Sequence, residues 1–183
     1  MTETPPVELV RRLLVEYDRA LAYTDALWRD LSDDEIRWRP HADFSPIGWH
    51  LGHQAAVAHF MVRNLTAAEP PIDAALDALM DSATPERERG DLPDGRRLAE
   101  YRQRAAERLH VRIGAIVDGQ VGAPAQLCVV AAGLISAVTN HEYQHSQWIG
   151  EVRSEHLGRP LPARPSSDLL REIDGYLVVT GAG

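Results

Sequence analysis

HEYQH, residues 141–145, sets two histidines four positions apart with a glutamate between them. On a helix, positions i and i+4 lie one turn apart on the same face, so both imidazoles can reach one metal ion. Whether this stretch is helical therefore decides the fold and the chemistry together. Leu134, Val138, His141, His145, Trp148 and Val152 recur at three- and four-residue steps, the period of a helix face turned to a core. Pro124 suits the first turn of such a helix and Gly158 its end, so it is expected over about residues 124–157.

Three more helices are expected on the same grounds. Leu9, Leu13, Tyr17, Leu21, Thr24, Trp28 and Leu31 mark the first, over about 6–31, opened by Pro5-Pro6. The second runs from Ser45 as N-cap and Pro46 as first helical residue to about Leu65, with Trp49, His53, Val57, Phe60 and Asn64 expected to face inward. The third covers about 94–117, with Leu98, Tyr101, Ala105, Leu109, Ile113 and Ile116 inward, and Gly119 and Gly122 end it. Ser32 and Glu35 form a capping box for a short helical turn between the first two. Residues 67–95, with four prolines and many charges, read as a long connection holding one short helix at 72–80. After residue 157 the tail is irregular, with a short helix expected at 167–174 and YLVV, 176–179, as a small strand or packing tail. The expected architecture is all-α: one domain over residues 1–183, a four-helix bundle with a long link between its second and third helices.

Composition narrows the partners. Net charge is −8, and all 19 basic residues are arginine, scattered rather than striped, so no nucleic-acid partner is expected. No apolar run approaches the roughly 18 residues of a membrane span, and MTETPPVELV lacks the basic and apolar regions of a secretory signal. The single cysteine, Cys128, sits in an apolar run and reads as a buried thiol, which fits a cytoplasmic location.

A metal held by His141 and His145 needs a third ligand. WHLGH, residues 49–53, supplies His53 on the expected inward face of the second helix, with His50 at its edge. Three histidines from two helices leave a coordination position open, the layout of a catalytic site. His41, His59, His110 and His156 fall off the inward stripes and are expected at the surface or around the site. HExxH is also the zinc-protease signature, in which the glutamate acts as general base. The residues after His145 contain neither the glycine nor the third histidine of the extended form, and the strands of a protease cleft are missing. A di-iron site built on EYQH, 142–145, and ERLH, 107–110, would need a glutamate on each of the other two helices, and the second helix has no acidic residue.

SPIGWHLGHQA, 45–55, and NHEYQHSQWIGEVR, 140–153, with LSDDEIRWRP before them, resemble the signature helices of the DinB/YfiT-like superfamily. The resemblance implies a four-helix bundle carrying one divalent metal, Zn, Ni or Fe, on His53, His141 and His145. The chain is also similar to the DinB-like part of the sulfoxide synthases of ergothioneine synthesis, which need a second catalytic domain. Stand-alone members include thiol S-transferases, so the leading expectation is a metal-dependent transferase acting on a small molecule. Its cosubstrate would be a low-molecular-weight thiol, and the arginine-only usage, typical of a GC-rich bacterial genome, favours a mycothiol-like one. A hydrolase, a non-catalytic binding module, or a homodimer with a structural metal are the alternatives. Expected around the ligands are Asn140, Glu142, Gln144 and Gln54 as partners of their ring N–H groups, His50 as a proton shuttle or a packing histidine at the start of the second helix, and Tyr23 or Tyr17 as a donor to a substrate anion or a core-packing side chain.

Overall fold

The computed structural model describes residues 5–65 and 69–180. Among these, six α-helices carry the fold: α1 Pro5–Trp28, α2 Asp33–Arg37, α3 Ile47–Arg63, α4 Ala74–Leu79, α5 Gly95–Val117 and α6 Pro124–Glu151. The last turn of α6 widens into a π turn, Val152–His156, before Gly158 in a left-handed conformation, φ 64°, ends it. A two-stranded hairpin, β1 Leu170–Ile173 and β2 Tyr176–Val179, closes the described chain.

The caps explain the boundaries. Ser32 and Glu35 form the expected reciprocal box at α2, Asp73 accepts from Ala75 and Leu76 at α4, and Asp94 accepts from Arg97 at α5. At α3 the expectation is corrected. Pro46, not Ser45, is the N-cap, and no side chain caps it. The Ser45 hydroxyl instead donates to Glu86 Oε2 at 2.7 Å, tying the start of α3 to the long connection. The tail helix expected at 167–174 is absent. Leu170 pairs with Val179 and Ile173 with Tyr176, around Asp174-Gly175, both at positive φ. Aspartate followed by glycine is the sequence signal of that turn.

The four long helices pack as a bundle. α1 lies mainly on α6 and α3 mainly on α5, while α3 also meets α6. This order puts α1 and α3 on opposite diagonals. Val10, Leu13 and Tyr17 of α1, Leu109, Ile113 and Ile116 of α5, and Ile135 and Val138 of α6 form the larger core cluster. Cys128 is buried within it, and burial raises its thiol pKa. A second cluster at the other end gathers Leu27, Trp28, Ile36, Ile47, Leu51, Met80 and Ile149. No helix of the described residues is long and apolar enough to cross a membrane.

One glycine has a packing reason. A Cβ at Gly52 would collide with the side chain of Met80, which is fully buried and would have to shift out of its packing. Gly52→Ala is therefore expected to destabilise by about 1–2 kcal/mol, read by denaturant unfolding, although alanine is the better helix former by about 1 kcal/mol.

Candidate metal centre

α3 and α6 cross with His53 facing His141 and His145. The ring centroids lie 5.1 Å apart for His53 and His141, 5.0 Å for His53 and His145, and 4.4 Å for His141 and His145. One nitrogen from each ring lies within 4.8 Å of the other two, a separation that lets three imidazoles share one ion. The helical period accounts for the grouping: His141 and His145 sit one turn apart, and His53 comes from the neighbouring helix.

Hydrogen bonds select the nitrogens. His53 Nδ1 lies 2.8 Å from the Met80 carbonyl, which only accepts, so Nδ1 carries the proton and Nε2 is free. His145 Nδ1 lies 2.8 Å from His50 Nδ1, which again leaves Nε2 of His145 toward the cluster. Met80 and His50 thus hold the two rings in place, as outer partners of ligating histidines do. Trp49 adds a third restraint. Its indole stacks on His53 at 4.5 Å and 12°, and the Arg89 guanidinium lies over the indole at 4.0 Å from its centroid.

The surroundings keep the imidazoles neutral, the form that coordinates metal. Burial pushes His141 down to about 4, with His53 adding to the effect. Burial pushes His50 down to about 3, with His53 next in weight and the Ser45 backbone opposing. His145 is shifted down by burial and then by His141, His50 and His53, and His53 is shifted down by burial against the Met80 backbone. A histidine that stays neutral when folded binds fewer protons than the same residue unfolded, so stability rises with pH between the two pKa values. The metal-free chain is expected to keep its full stability above about pH 6.5 and to lose it progressively as pH falls towards 4. Chemical denaturation at pH 7.5, 6 and 5 reads this directly.

The residues expected around the rings do other work. Asn140 donates through Nδ2 to the Leu177 carbonyl at 2.6 Å and accepts from the Leu177 N–H at 2.5 Å, so it pairs with β2 like a neighbouring strand. Gln144 lines a depression beside that hairpin, with Asn140 and Tyr143. Glu142 points away from the histidines. It is 2% exposed and accepts from Arg102 Nη2 at 2.7 Å. Arg102, itself 5% exposed, also donates to the Leu51 carbonyl and to Gln54 Oε1, and Gln54 Nε2 donates to the Glu142 carbonyl. The closed network Arg102–Gln54–Glu142 staples α5, α3 and α6 one residue on from two of the histidines. In both His53-Gln54 and His141-Glu142, the roughly 100° step between successive helical residues sends the histidine to the cluster and its neighbour to the staple.

Neither tyrosine of α1 meets the histidine cluster. Tyr23 packs against Tyr143 at 6.1 Å, because α1 lies across α6 from α3, and Tyr17 is buried in the larger core cluster. His59, expected at the surface or around the site, is buried at 1% exposure in the lining of the pocket that holds His53, and accepts from Arg108 Nη1 at 3.1 Å. Trp148 is 47% exposed and lies 4.8 Å from the His145 ring, at the rim rather than inside. His110 pairs with Asp18 at 2.7 Å and is partly exposed, in keeping with the sequence reading that sets the di-iron site aside.

Residues 16–149 match the DinB superfamily model, and the chain belongs to that superfamily. No curated protein matches the chain.

Proposed function

We propose that the protein is a divalent-metal-dependent enzyme of the thiol S-transferase type, acting on a small molecule. The observation that carries this reading is the cluster of His53, His141 and His145, with ligand atoms within 4.8 Å, beside a pocket of about 410 Å³ that has His53 in its lining. Three neutral imidazoles suit zinc, nickel or iron(II), and a three-residue donor set is the number that leaves a position for substrate. When bound, the metal would supply Lewis acidity that lowers the pKa of a thiol cosubstrate into the neutral range.

The chain's own residues do the rest. His53 and His145 present Nε2 because Met80 and His50 hold their Nδ1 atoms. Trp49, 6% exposed, and Met80, fully buried, pack against the His53 ring and hold it in place. His50 is buried against His145, a position for orienting that ring rather than for relaying protons to solvent. Glu142 is committed to Arg102 and is not a base for the site.

The test is turnover. Zinc-, nickel- or iron-loaded protein is incubated with mycothiol or another small thiol and a generic electrophile, and adducts are read by mass spectrometry. Adduct formation above the uncatalysed rate, lost on chelation and in His145→Ala, is the expected result. A His145→Ala variant with full turnover would overturn the reading, as would hydrolysis of the electrophile in place of thiol addition.

A further inference from the structure

Beyond the histidines, the outer face of α3 continues as Val57, Phe60 and Arg63, and Met80 and Asp81 stand across from it. These residues line the pocket of about 410 Å³, with His53 at one end. Phe60 is 66% exposed there, although it sits at core spacing from His53 and Val57. An apolar stripe on an open groove is a surface for the apolar body of a ligand.

Arg63 is the charged feature of this groove that stands out. Its guanidinium lies 5.5 Å from the Phe60 ring centroid, and its Nε is buried without a hydrogen-bond partner. No carboxylate among the described residues lies within ion-pair distance of it. The two carboxylates of the groove stand on its other wall and take neutral donors, Asp77 from the Tyr101 hydroxyl and Asp81 from the Ala83 N–H at 2.9 Å, so neither pairs with Arg63. Ten residues separate His53 from Arg63, about 15 Å of helix axis. The Arg63 side chain leans back towards the helix N-terminus, over Phe60, and shortens that span.

We propose that this groove binds an elongated small molecule with an oxyanion at one end. The carboxylate, sulfonate or phosphate meets Arg63, the apolar middle lies on Val57 and Phe60, and the other end reaches the histidine cluster. The proposal rests on the enzymatic reading only for what happens at the histidine end.

The full chain, zinc-loaded and metal-free, is titrated calorimetrically with 6-phenylhexanoate and with 6-phenyl-1-hexanol, which share an apolar body and differ in charge. The acid is expected to bind about tenfold tighter than the alcohol, the strength of one partly exposed charged hydrogen bond. Arg63→Met should bring the acid to the alcohol's affinity while zinc affinity, measured by chelator competition, stays unchanged. Equal affinity for the two probes in the unmodified chain would overturn the proposal, and so would an Arg63→Met variant that still prefers the acid. Failure to bind zinc would sink the metal reading alone, because the same probe pair decides the groove in the metal-free chain.

Discussion

Arg102→Met is expected to lower stability by about 3–5 kcal/mol, the usual loss when one partner of a buried ion pair is removed. Arg102 is 5% exposed and Glu142 2% exposed, so the carboxylate left behind keeps neither its cation nor water. Leu51 O and Gln54 Oε1 lose their donor as well. The Asp25 carboxylate, 3.5 Å from Arg102 Nε, loses a further charge contact. Pairing the change with Glu142→Leu should recover much of the loss, since an apolar pair of similar volume replaces the ion pair without an orphaned charge. Denaturant unfolding of both single variants and the double variant measures this as a coupling energy. Additive losses would mean that the two side chains do not depend on each other. The variant should also bind metal more weakly, although Arg102 touches no histidine, because the staple sets how α3 and α6 face each other.

The second large effect concerns the cluster itself. Zinc at 100 times its Kd should stabilise the unmodified chain by about 2.7 kcal/mol through mass action alone. His145→Ala removes a ligand, and its affinity should fall by more than the 10–100-fold typical of losing an outer partner. At a 100-fold weaker Kd the same zinc concentration stabilises by only about 0.4 kcal/mol. The comparison is made within each variant, with and without zinc, so any change in the metal-free fold cancels. Met80 and His50 act on the rings of His53 and His145, and His50→Phe should give an intermediate loss, since phenylalanine offers no acceptor to His145.

Much of the architecture was legible in the residues, and the failures have physical causes. α1 and α5 each bury one stripe and expose the rest, so the 3.6-residue period marks them plainly. α3 is different. It is buried on nearly all sides over residues 47–55, and the side that opens further on, at Phe60, is also apolar because it floors a groove. A period search cannot separate a core face from a ligand-facing one when both are apolar. The histidine triad was legible because metal ligation needs fixed spacing. The staple was harder, though its signal was present. Arg102 falls at helical steps from Leu98 and Leu109, and Glu142 at helical steps from Val138 and Ile149, so two opposite charges occupy buried positions on two helices. Charges are usually taken to face water, and only the paired reading reveals them. Half of the hairpin is legible, since YLVV at 176–179 reads as a strand; β1 does not, because it is four residues long and does not alternate, and the turn Asp174-Gly175 carries its signal.

The central claim is that His53, His141 and His145 hold one metal ion on imidazole nitrogens. X-ray absorption spectroscopy of the zinc-loaded chain tests it most directly. The spectrum should show nitrogen neighbours at about 2.0–2.1 Å with the outer-shell pattern of three imidazoles. A first shell of oxygen alone, with no imidazole pattern, would contradict it.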